Sequence, residues 1–127
     1  MHIVLFARDS KENKALPEFS ACVFSALHLT KFEERESSNY PPDDRYFIGY
    51  ASNASVKVCH SDNDDFAQYP YWVVLQSPRI QADAQQSIPL SAEQVATALA
   101  ESGLEILVPS EGWGKVGWVP SGTVYGA

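Results

Sequence analysis

The stretch Arg45-Tyr46-Phe47-Ile48-Gly49-Tyr50-Ala51-Ser52-Asn53-Ala54-Ser55-Val56-Lys57-Val58-Cys59-His60 decides the fold class. Residues 45–51 and 54–60 are rich in aromatic and β-branched side chains and alternate in character, and Ser52-Asn53 stands where a two-residue hairpin turn belongs. This predicts an antiparallel hairpin. On its N-terminal side, 37–44 concentrates turn formers, and the consecutive Pro41 and Pro42 forbid a helix there. Before that loop, Leu29 to Glu36 interleaves Leu29 and Phe32 with five charged side chains, the pattern of a charged edge strand or a helix extension, of which the strand is expected. On its C-terminal side an acidic loop, 61–65, leads to Tyr69 to Gln76, the most strongly β-forming run in the chain, which Pro78 ends.

Further out the period changes. Ile3 to Ala7 reads as a first strand, and Leu16, Phe19, Val23, Phe24 and Leu27 then recur at helical spacing, predicting a helix over 17–28. Pro17 suits its first turn, and Glu18 complements the positive end of its dipole. A second helix begins at Ser91, whose hydroxyl is placed to cap Gln94, with Leu90 and Val95 as a hydrophobic staple. Gly103 supplies the left-handed residue that ends it. Leu104 to Val108 is a short buried strand, and Glu111 to Ala127, with its glycines and two tryptophans, reads as a turn-rich hairpin or a tail lying on the body. The order of elements predicts one α+β domain over 1–127, a two-layer arrangement of a mostly antiparallel sheet with two helices packed on one face. The other face is left to solvent or to a partner.

Composition narrows the function. With 127 residues, 45% of them hydrophobic, the chain is long enough for one core and too short for two. A net charge of -7 repels phosphate, so nucleic acid is not an expected ligand; such a surface either attracts a basic partner protein or keeps the chain in solution. No run approaches the ~18 apolar residues that span a bilayer, so no membrane association and a cytoplasmic location are expected. Cys22 and Cys59 lack the spacing of a disulfide scaffold or a zinc site and read as reduced, structural thiols.

No residue pattern marks a reaction. Cys59 and His60 are neighbours on a strand and point to opposite faces, so they do not form a dyad. His2, His28 and His60 lack metal-ligand spacing, and no cofactor is expected. Asp62-Asn63-Asp64-Asp65 opens like a calcium loop, but Ala67 and Val73 stand where such a loop needs Gly and Glu. Gly112 to Trp118 lacks the Gly-Lys-Ser/Thr ending of a phosphate loop. Its tryptophans are either exposed anchors or a cap on an open end of the core.

Carboxylates beside rigid tyrosines suit a surface that docks a basic protein. Within the span from Glu33 to Trp72, about a third of the chain, the segments Glu33 to Tyr40, Arg45 to Gly49 and Tyr69-Pro70-Tyr71-Trp72 resemble small acidic immunity proteins of bacterial polymorphic toxin systems. The resemblance implies a non-enzymatic α+β protein that neutralises a cognate toxin by stoichiometric binding. The expected partner-binding residues are Glu34, Glu36, Tyr40, Asp43, Asp44 and Asp62. The alternative is a small-ligand or carbohydrate-binding module, or a weak hydrolase, using a sheet face lined by Trp72, Trp113 and Trp118.

Overall fold

The computed structural model describes residues 1–79, 86–113 and 115–126. In chain order the elements are β1 (His2–Asp9), α1 (Leu16–Ala26), β2 (Phe32–Glu36), β3 (Arg45–Tyr50), β4 (Ser55–His60), a 3-10 turn (Asp64–Phe66), β5 (Tyr71–Gln76), α2 (Ala92–Glu101), β6 (Leu104–Pro109) and β7 (Gly122–Tyr125). The strands form one seven-stranded sheet in the order β2-β3-β4-β5-β1-β6-β7, and every neighbouring pair is antiparallel. Both helices pack on one face, α1 against β3 and β4 and α2 chiefly against β6. The chain is an α+β fold of helices on an antiparallel sheet.

Alternation on the strands builds the core between the layers. Leu5 and Ala7, Val56 and Val58, Val73 and Leu75, and Leu104 and Ile106 all point to the helix face. They meet Leu16, Phe19, Val23 and Phe24 of α1 and Val95, Ala96 and Leu99 of α2. Gly49 is the small residue that admits this packing, since a Cβ there would lie 2.7 Å from two atoms of the Phe24 ring.

Local chemistry sets the helix ends. The Ser91 hydroxyl accepts the Gln94 N–H, and Gly103 takes a left-handed φ of 93° past the end of α2. The first helix stops at Ala26, two residues earlier than its periodicity implies. His28 adopts a φ of 59°, its N–H donates to the Ser25 carbonyl, and the Leu29 N–H reaches back to the Phe24 carbonyl. This is a Schellman stop made without glycine, secured by burial of Leu29. The charged edge strand consequently starts at Phe32 rather than Leu29, although the Lys31 carbonyl already accepts the Tyr50 N–H.

The helix-free face is not simply left to solvent. Phe6, Trp72 and Leu107 project from it, and Phe66 and Tyr69 from one loop and Trp113 and Trp118 from another pack over them. Phe66 meets Phe6 edge-on at 4.8 Å between ring centroids, and Trp113 does so at 5.6 Å. Covering these large apolar side chains removes them from water, and the loops carry the aromatic residues that do it. The C-terminal stretch leaves this cap to return as β7, pairing with β6.

Candidate functional site

The side chains expected to bind a partner divide into three places. Residues 32, 34 and 36 of β2 oppose Gly49, Phe47 and Arg45, so they share the helix face of the sheet, beyond the helices themselves. Glu34 and Glu36 there meet Asp43 and Asp44 of the following loop in a surface cavity of about 420 Å³, which Arg45 also lines. Four carboxylates thus face one guanidinium. Arg45 donates to Glu34 at 3.0 Å and lies 3.7 Å from Asp43, and Asp43 is also held by His60 Nε2 at 3.1 Å. The side chains of Glu36 and Asp44 have no hydrogen-bond or ion-pair partner among the described residues. Their charge is therefore uncompensated at the outer end of the sheet.

Tyr40 turns away from these carboxylates. Its ring lies 4.5 Å from that of Tyr46, and Lys57 Nζ sits over both rings at 5.0 and 5.2 Å while donating to the Tyr40 hydroxyl at 2.6 Å. It anchors the 37–44 loop across the sheet, a positioning role. Asp62 stands in the separate 61–65 loop and does not line the acidic cavity. Its carboxylate is one of the influences raising the Cys59 thiol, which burial, the largest cause, pushes up to about 11. That thiol is protonated at neutral pH, as suits a small apolar packing group.

On the solvent side of β2, Glu33 accepts from the Tyr50 hydroxyl and from Arg35, and these two hold its carboxyl below the usual range. The alternation of the strand therefore separates a satisfied pair, Glu33 and Arg35, from the opposite side, where Glu34 is held by Arg45 and Glu36 has no side-chain partner among the described residues.

Phe32 was not among the expected site residues. It is 47% exposed, stacks at 4.9 Å on Phe24, and with Ala21, Ser25, His28, Leu29 and Thr30 lines a second cavity of about 560 Å³. One apolar side chain at the start of an otherwise charged edge strand is the sequence signal for it.

Trp72, Trp113 and Trp118 pack into the cap over Phe6 and Phe66, each partly buried. Trp118 donates to the Ser110 hydroxyl at 3.0 Å, and Trp72 and Trp113 meet at 6.3 Å. These rings are mainly spent on one another and on the core beneath. Beside them, Glu105, only 7% exposed, accepts from Tyr69 at 2.6 Å and from Arg8 at 3.0 Å. Burial opposes ionisation, but the two donors prevail and its carboxyl lies below the ordinary value. The same pairing, with burial first, pushes the Tyr69 hydroxyl up to about 12.

A cavity of about 760 Å³ lies between the helices, where Cys22, His28, Ser25 and Glu101 stand among alanines and Leu27. No hydrogen bond joins the Cys22, His28 and Glu101 side chains there, among the described residues. Both cysteines are free thiols. No described group of His, Cys, Asp and Glu has an arrangement that could hold a metal ion, and no described helix is long and apolar enough to cross a membrane.

The class that fold and site define is an α+β domain with an acidic, open sheet edge. Comparison with family models, with curated proteins and with solved structures finds no match to this chain.

Proposed function

We propose that this chain is a non-enzymatic binding protein that engages a basic partner protein, in the manner of an immunity protein neutralising a toxin. The observation that carries the reading is the cavity of Glu34, Glu36, Asp43 and Asp44, in which Glu36 and Asp44 have no compensating partner among the described residues. Charges already paired inside a protein gain little from a partner, whereas uncompensated carboxylates on an exposed rim steer a cationic surface and raise its association rate. The net charge of -7 extends that field over the whole molecule.

The test is capture at low salt with the tagged chain, followed by elution with rising salt. The expected result is one basic protein in one-to-one amount, toxic when produced alone and harmless when this chain is co-produced. The double reversal Glu36→Lys, Asp44→Lys should slow association and abolish protection. A partner whose association rate is indifferent to salt would overturn the electrostatic reading. A small-ligand reading finds its support in the cavity between α1 and α2 rather than on the tryptophan face, and thermal-shift screening with small metabolites tests it.

A further inference from the structure

We infer that the partner adds an extended segment to the outer edge of β2, running antiparallel to it, with side chains in the order basic, any, basic, any, apolar from its N-terminus. The inference rests on the binding role just proposed and specifies the chemistry of what is bound.

Three observations carry it. The first is topological: among the described residues β2 is the terminal strand of the sheet and pairs only with β3, and all five of its residues are exposed. A terminal strand presents unpaired backbone N–H and C=O groups, which form a template for an added strand. The second is the distribution of side chains along that template. Phe32, Glu34 and Glu36 share one face, with the apolar cavity beside α1 at the Phe32 end and the acidic cavity at the Glu34 and Glu36 end. Residues directly opposite on antiparallel strands project to the same face and interact as pairs. A segment running against β2 meets Glu36 first, then Glu34, then Phe32, which sets the stated order.

The third observation is which occupants the edge rejects. A second copy of β2 paired about Glu34 would set Glu34 against Glu34 and Phe32 against Glu36 on this face, so the face is not complementary to itself, although Glu33 would meet Arg35 on the other. The opposite sheet edge, β7, reads Gly-Thr-Val-Tyr and has no charged side chain with which to select a basic segment. The charges on the Glu34 and Glu36 face of β2 therefore favour a segment of opposite sign over a second copy of the strand on that face.

Two synthetic peptides test the idea against the intact chain by amide-resolved NMR. One is a nine-residue threonine peptide with Lys, Lys and Leu at its third, fifth and seventh positions; the other has the same composition with those three residues consecutive. The ordered peptide should bind at least about tenfold more tightly, consistent with hot-spot contacts, and slow amide exchange in residues 32–36. Phe32→Ala should weaken the ordered peptide and leave the control unchanged, and Glu36→Gln should weaken the ordered peptide more than the control. Equal binding of the two peptides, with shifts confined to residues 43–44, removes strand addition and leaves the acidic docking surface standing. No binding of the ordered peptide at millimolar concentration also removes strand addition, whereas the acidic-surface reading falls only with the salt and charge-reversal experiments.

Discussion

Asp9 closes β1 and governs the turn into α1, and neutralising it gives a stability change whose size and pH dependence follow from its contacts. Its Oδ1 accepts the backbone N–H groups of Lys11 at 2.8 Å and Glu12 at 3.2 Å, while Oδ2 accepts Lys14 Nζ at 2.8 Å. The side chain is 10% exposed. Lys14 first, and the two amides after it, draw the carboxyl from its ordinary 3.8 to about 2. At about 1.4 kcal/mol per pH unit this depression corresponds to about 2 kcal/mol of native-state stabilisation. Asp9→Asn keeps an oxygen for the two amides and loses only the charge, so roughly half of that, about 1 kcal/mol, should disappear at pH 7. The sign follows from linkage: the folded value lies below the unfolded one, so the stabilisation is complete above about pH 5 and drains away as the pH falls towards about 2. Urea unfolding of the chain and of Asp9→Asn should therefore show a gap of about 1 kcal/mol at pH 7 that narrows steadily below about pH 4. A gap that stays constant with pH would refute the reasoning, because it would mean that the substitution acts on the shape of the turn rather than on the ion pair.

Tyr69→Phe should cost about 2 kcal/mol in the same assay, since it strips a 2.6 Å donor from the buried Glu105 carboxylate; a loss under about 0.5 kcal/mol would mean that water replaces the hydroxyl. Gly49→Ala should destabilise by about 1–3 kcal/mol, because its Cβ would press the Phe24 ring at 2.7 Å. In the native chain Cys22 should react with a thiol reagent well before Cys59, whose group is buried and pushed up to about 11; equal rates at pH 7 would contradict the packing of β4. Glu36→Lys should leave unfolding stability within about 0.5 kcal/mol while impairing partner association, which separates a binding role from a structural one.

The elements are legible in the sequence where the deciding chemistry is local. The hairpin of β3 and β4, the Ser91 cap and the Gly103 stop each depend on residues within a few positions of one another, and each forms where its chemistry points. The end of α1 is less legible because His28 does the work usually given to glycine, and a left-handed non-glycine residue leaves no compositional mark. The cap on the helix-free face is a tertiary fact. Phe6, Phe66, Trp113 and Trp118 are dispersed over the chain, and no period or motif announces that they meet.

The acidic site shows how face assignment turns composition into a surface. Glu33-Glu34-Arg35-Glu36 reads as one charged run, yet pairing with β3 sorts it into two populations. Glu33 and Arg35 satisfy each other beside Tyr50, whereas Glu34 and Glu36 join Asp43 and Asp44, carboxylates that come from the next loop. Tyr40 belongs to the same loop but is held over Lys57, and Asp62 stands outside the cavity. Counting acidic residues therefore overstates the site's length and misses its polarity. Beyond Glu34, the same alternation places Phe32 on the face of Glu36, so the edge offers an apolar end and an acidic end in a fixed order. A diffuse negative surface would attract a cationic partner in many orientations, whereas an edge with ordered ends favours one direction and one register of approach.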